Sequence, residues 1–446
     1  MTTETRPADR PRPIRRGPAD LPFRFADRGL AQALAAEREE PAWLRAERIE
    51  AWKSFEALPV EANQLYTPYI DLRAASLEDV RPYVKDGPPG LGDDLEGLAL
   101  PDGVHLETFG QWLERDPEGF RADIEGGATL PAGDKLAMLA RGFWSHGRHL
   151  EIADGVVVAE PIVVRWRSGT PGRALITRTI VTLGARASAS IVEEQVPCGP
   201  DIACAEDEAV PQGLFHGTTE VSLGANASLA LASIQDLGPG QIAFQHRHAT
   251  IGEAATLHWA LAQLGGRLVR SRVDNRLEGD RSSVEQVEIV FGGEQQLFDL
   301  TSYTRHIGRD TTGNLLSKGA LLDRSRSFMK GLITIEKSAV GTDSFLGEFG
   351  MNLSKAARAV AIPSLEIDQP DCRRAAHSSS VGPIDPSQLF YLESRGIAPD
   401  EARKFIVLGF LEPVVARVPL EGARDRLRDL LEQKWAAGLE AASAAA

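Results

Sequence analysis

Three places in the sequence hold side chains that could bind a transition metal, and a fourth has the glycine spacing of a phosphate loop. His377 stands before Ser378-Ser379-Ser380 at the end of a long run of strand-like sequence. A neutral imidazole at such an end could take a borderline metal such as iron or zinc. Cys372 precedes it by five residues. His246 and His248 are two apart, so a strand would put both on one face, as a metal pair needs. Spacing places no third ligand beside them, since His258 depends on strand register, and a hydrogen-bonded core pair or a polar surface is the expected outcome. Cys198 and Cys204 lie in a polar stretch, Cys198 to Gly213, that reads as a loop and leaves them as ordinary thiols. Gly308 to Leu315 has two glycines at the Walker A spacing but lacks the Lys and the Ser/Thr that reach the phosphates, which excludes it.

The elements that position these residues change character along the chain. From about Asp27 to Leu58 apolar residues recur every three or four positions, with Leu44, Ala51, Trp52 and Phe55 on one face. A further helix is expected around Leu106 to Arg121, in a helical N-terminal region interrupted by loops. Near Phe143 the texture becomes short apolar runs closed by glycine: Leu183-Gly184, Leu223-Gly224, Ile251-Gly252, Leu264-Gly265-Gly266, Leu277-Glu278-Gly279 and Phe291-Gly292-Gly293. Their spacings are irregular, a strand-and-turn rhythm without a sharp repeat code. No proline occurs between Pro239 and Pro363, as central strands require. Strands that continue without helical spacers or Asn-Gly hairpin signals favour a parallel β-helix, a solenoid whose ends the flanking helical regions would cover. Glu366 to Gly396 is the junction: Asp385-Pro386-Ser387-Gln388 is a helix start and Gly396 a stop. Helices follow, the last of them amphipathic through Leu427, Leu431 and Trp435. The expected class is therefore mainly β, with a tail at 1–20, a helical region at 21–140, a β-helix core at 141–383 and a helical domain at 384–446.

Composition narrows the function. The formal charge of −14 disfavours nucleic acid and anionic membranes as partners. The tail alternates arginine and proline with no apolar targeting segment, and no run is long enough to span a bilayer. Three cysteines form no disulfide framework, so a reducing cytoplasm fits best.

Several stretches resemble one family. IPSLEI before His377 and QLFYLESRGI after it are similar to the C-terminal signature of the SufB/SufD scaffolds of iron–sulfur cluster assembly. Phe328-Met329-Lys330-Gly331, Met351-Asn352-Leu353-Ser354, Glu160-Pro161-Ile162 and Pro41-Ala42-Trp43-Leu44-Arg45 also resemble that family, so the likeness runs through nearly the whole chain after the tail. It implies a right-handed parallel β-helix between helical segments and a scaffold in place of a free-standing enzyme. A SufB-like partner would be met through the β-helix end and a SufC-like ATPase through the C-terminal helices. A nascent cluster or iron would be held near the scaffold interface, with iron acquisition depending on the D-type subunit. FAD is a cofactor candidate of the complex that cannot be assigned to this chain.

The D-type signature has a histidine where His377 stands, commonly with a cysteine two residues earlier, where this chain has Ala375. In a continuous strand Ala375 shares the face of His377, whereas Cys372 falls on the opposite one. Either a bulge brings the thiol round or Cys372 takes no part, and the second is expected. The chain is read as SufD-like, with His377 as the metal residue and Cys372 as a doubtful second. A SufB-type or self-pairing scaffold that holds the cluster itself is the alternative. A polysaccharide-active β-helix enzyme is a more distant one, which would want a secretion signal and grouped carboxylates.

Overall fold

The computed structural model describes residues 24–89, 91, 100–126, 130–198 and 210–444. The 1–20 tail and most of the loop that carries Cys204 therefore lie outside the described residues. The first sheet contains β2 (Val104–Thr108), β3 (His146–Ile152), β5 (Arg173–Leu183), β7 (Gly213–Leu223), β9 (Gln241–Ile251), β11 (Leu268–Leu277), β13 (Leu297–His306), β15 (Arg326–Ile335) and β17 (Arg358–Ile367), in that spatial order, with β1 (Arg81–Pro82) beside β5. The second contains β4 (Ile162–Ser168), β6 (Ser188–Pro197), β8 (Ser228–Gln235), β10 (Thr256–Gln263), β12 (Ser283–Gly292), β14 (Thr312–Leu321), β16 (Asp343–Asn352) and β18 (Arg374–Gly382). From β3 onward each turn of chain adds one strand to each sheet, parallel to the one before. The result is the parallel β-solenoid.

The irregular glycine rhythm is two columns read as one. Leu183, Leu223, Ile251 and Leu277 are partners in successive rungs, so the steps between them, 40, 28 and 26 residues, are whole turns. The glycines after them stack at one corner, whereas Gly265 and Gly292 stand at the other, after β10 and at the end of β12. At the first corner the backbones of successive turns touch: a Cβ on Gly279 would lie 2.0 Å from Glu253 N. Two residues on, Asn226, Ala254, Arg281 and Asp310 take φ of 58, 51, 59 and 54°, and each amide in this column donates to the next turn's carbonyl. Gly308 belongs to this column, and Asp310 accepts from Arg373 Nη2 at 2.5 Å. The Walker-like spacing is thus a solenoid corner. Proline returns at Pro363 in β17, an outermost strand, where a missing N–H costs no central ladder bond.

Side chains alternate between the bore and the outside, and the outside of the middle strands is apolar too. It is clad by helices. α1 (Arg28–Glu37), α2 (Ala42–Ala57) and α5 (Lys135–Phe143) bury Leu34, Leu44, Phe55 and Phe143 in one cluster with Ile242, Phe244 and Leu268 of the first sheet. α7 (Pro399–Val415) and α8 (Glu421–Ala444) bury Leu411, Leu427 and Leu431 in one cluster with Ile234, Val287 and Ile289 of the second. Each such Leu or Ile contributes roughly 1.5–3 kcal/mol by leaving water. The expectation that helices cover the solenoid's ends is corrected here: they take its two flanks, because that is where uncovered apolar rungs stand. The helix expected at 106–121 is instead strand β2, then α3 (Phe109–Arg115) and α4 (Pro117–Gly126). Thr108 caps α3 with a reciprocal Gln111 contact, and Pro117 starts the next helix. α6 (Pro386–Ser394) starts at Asp385, whose carboxylate accepts from Ser387 N.

Candidate functional site at the open end of the solenoid

The last turn has a neighbour on one side only. β17 pairs with β15 and β18 with β16, and each is the outermost strand of its sheet. His377 stands opposite Leu346, which is 1 % exposed and packs inside the bore with Leu315, Ile333 and Ile335. In-register parallel strands stack side chains of one face above each other, so His377 sits on the bore side at its mouth. It is exposed because no further turn follows, and no hydrogen bond or ion pair among the described residues holds its ring.

Cys372 lies closer to this mouth than strand parity implies. Parity presumes a continuous strand, but β18 begins at Arg374 and Cys372 belongs to the corner before it. That corner is tied by Gly341 N donating to Asp371 O and Arg373 N donating to Thr342 O, both at 2.8 Å. Half-buried, Cys372 packs against the same bore cluster as Ala375. No bulge is needed to bring the thiol to the side of His377. One imidazole and one thiol are half of the four donors a tetrahedral metal site takes. Among the described residues no three His, Cys, Asp or Glu side chains gather closely enough to hold a metal.

Behind the mouth runs a file, polar but for Leu261, that the sequence reading missed. Glu193, Ser233, Leu261, Glu288, Ser317, Glu348 and Ser379 are successive partners in the second sheet, all facing inward. Period-two alternation with Leu346 could have placed Glu348 in the bore. Its carboxyl accepts from Ile362 N at 2.7 Å and reaches over Gly331, where a Cβ would stand 2.9 Å from Oε1. Burial pushes this carboxyl up to about 8, against the opposing pull of the Ile362 N–H and the Lys330 ammonium. Its folded value lies above its ordinary 4.5, so its contribution is complete below that and is lost as pH rises through about 8. Glu348→Gln should remove this slope, and the variant should gain on the parent in urea midpoint as pH rises across that window.

The other candidate residues are engaged elsewhere. His246 does sit on one face with His248, but Asp274 accepts from its Nε2 and Asp134 lies 3.7 Å from Nδ1. Burial pulls its pKa down, yet the two carboxylates prevail and hold it above the usual value. It is a core histidine that helps dock α5, whose N-cap is Asp134. Burial lowers His248 to about 4, and the pair is no metal clip because both ring nitrogens of His246 face carboxylates of the core. His306 lies between Thr311 and Ser344 at 2.8 and 3.0 Å, and Cys198 is half-buried beside Thr170.

Known proteins resemble the chain along this architecture. The family model described as the SufBD core domain of the SUF system for FeS cluster assembly matches residues 166–410, from within β4 into α7. The iron–sulfur cluster assembly protein SufD of Bacillus subtilis is 26% identical over 448 aligned residues, covering 92% of this chain and 98% of that protein. Iron–sulfur cluster assembly SufBD family proteins of Mycobacterium leprae and Mycobacterium tuberculosis are 29% and 31% identical over 229 residues, covering 50% of this chain and 58% of each relative. Among the described residues no helix is long and apolar enough to cross a membrane.

Proposed function

The chain belongs to the SufBD family of SUF iron–sulfur cluster assembly proteins, and from that premise we propose that it is the D-type scaffold subunit, joined at its open end by a SufB-like chain. The carrying observation is the last turn, where the outer edges of two outermost strands have no strand beside them among the described residues and His377 stands on the bore side. A parallel strand pair added there would continue both ladders and bury the serines of β18. His377, with Cys372 beside the same bore, would then contribute to a site for iron or a nascent cluster that the partner completes. The cluster is cargo in this reading, and the role in iron acquisition rests on His377 being an exposed imidazole that no other described side chain holds.

The ATPase contact is assigned to the C-terminal helices. α7 and α8 are spent against the second sheet on one side, whereas α6 buries none of its residues. Phe390 is 73 % exposed and Phe405 63 %, aromatic anchors of the kind that dominate interfaces. Phe405→Ser should leave the fold within about 0.5 kcal/mol yet weaken capture of a SufC-like ATPase by about thirtyfold, the equivalent of about 2 kcal/mol at a hot spot. The measurement is a titration of the purified ATPase against parent and variant. Equal affinities would move the contact away from α7. Deleting residues 398–446 is the poorer test, since it would strip the cladding from Ile234, Val287 and Ile289.

A further inference from the structure

A cleft opens on the flank of the solenoid opposite α7 and α8, between Gly126 and Leu130 to Ala132 on one side and the outward rungs of β7, β9 and β11 on the other. It has a volume of about 480 Å³ and is lined by Ser222, Thr250 and Arg276, by His248 two residues before Thr250 on β9 and by Arg141 of α5. Ser222, Thr250 and Arg276 are successive partners in the ladder, so two hydroxyls and a guanidinium stand in one row. That row follows from the register alone and serves no packing need.

The cleft offers more donors than acceptors. Arg141 is bound by Glu47 through Nε and Nη2, and Arg276 by Glu278 through Nε, which leaves Nη1 of the first and both terminal nitrogens of the second unengaged among the described residues. Neither hydroxyl of the row makes a hydrogen bond among the described residues. His248 is 7 % exposed and its Nδ1 has no hydrogen-bond partner. Glu278 is the one acid of the lining, and Arg276 already neutralises it. Two guanidiniums that keep free N–H groups, with hydroxyls between them, match the planar, multi-oxygen geometry of a carboxylate or phosphate. The volume exceeds a bare inorganic ion and lies within the range of about 300–1,000 Å³ typical of small-molecule sites.

We propose that this cleft binds a small organic oxyanion, a polycarboxylate or phosphate monoester, held by Arg276, Arg141 and the Ser222–Thr250 pair. The site lies on a flank of the solenoid, away from the mouth, and stands whether or not His377 binds metal.

Isothermal titration of the full chain with citrate, glucose 6-phosphate and inorganic phosphate, at fixed ionic strength, tests it. At least one organic probe should bind at submillimolar concentration, and which one separates the carboxylate source from the phosphate source. Arg276→Gln should weaken that probe by about tenfold or more, as loss of a charge-assisted contact does. Arg281→Gln, at a surface pair with Glu253 outside the cleft, should leave binding unchanged. Thr250→Ala gives an independent loss if the arginine variant fails to fold. The proposal is overturned if neither organic probe binds at millimolar concentration, or if binding is indifferent to both cleft variants.

Discussion

His377→Ala should leave the assembled complex intact while lowering its iron and acid-labile sulfide by about tenfold or more, a loss on the scale seen when a metal site is deprived of even an outer-shell partner. The ring is exposed and unbonded in the isolated chain, so the substitution should change folding stability by no more than about 0.5 kcal/mol. A drop in cluster content cannot then be blamed on misfolding. Cys372→Ser is the companion variant. Its thiol packs on the bore cluster, so the serine should cost a little stability and, if the thiol is a ligand, cluster content as well. Iron and sulfide per purified complex, measured for both variants beside the parent, separate the cases. If His377→Ala retains full content while Cys372→Ser loses it, the histidine reading fails and the thiol carries the site. If both are silent, the open mouth is not where the cargo is held.

Arg270→Ala should cost about 3–5 kcal/mol, the penalty for stranding buried charges. The guanidinium is 2 % exposed and donates to Glu61 Oε2 at 2.7 Å and Asp299 Oδ2 at 2.8 Å, while Lys330 holds the other oxygen of Asp299. Without the arginine, Glu61 loses its one ion pair among the described residues, and the segment after α2 loses a charged tie to β11 and β13. That segment also lays Tyr66 on Tyr303 and Tyr69 on Phe328, with ring centroids 5.9 and 6.3 Å apart. Urea unfolding followed by tryptophan emission measures the loss. Adding Glu61→Gln to the variant should recover part of it, because the stranded carboxylate is then neutral. A loss below about 1 kcal/mol would place the network in the class of surface ion pairs.

Much of the architecture is local and was therefore readable. Gly-closed apolar runs, the proline gap between Pro239 and Pro363 and the helix start at Asp385 each follow from what one residue permits its own backbone to do. Those signals were enough to read a parallel solenoid followed by helices, and QLFYLESRGI with His377 was enough to read the family. The His246–His248 pair was legible only as a core pair or a polar surface, and the register chose the core.

What the chain could not reveal by itself is which residues meet across turns. Turns of 40, 28 and 26 residues bring Leu183, Leu223, Ile251 and Leu277 into one column, and a periodicity search sees only unequal gaps. The side taken by Cys372 depended on where β18 begins, because the corner before a strand does not obey the strand's alternation. The helices were expected at the ends and stand on the flanks, a choice made by the apolar outward rungs of β8 and β12 that appear only once the ladder is stacked. Glu348 carried no signal in the sequence reading, and only the register placed it in the buried bore, where burial favours its protonated form. Backbone preference acts over a few residues and is written in the sequence directly. Register, burial and charge pairing act between residues tens of positions apart, and only the folded solenoid decides them.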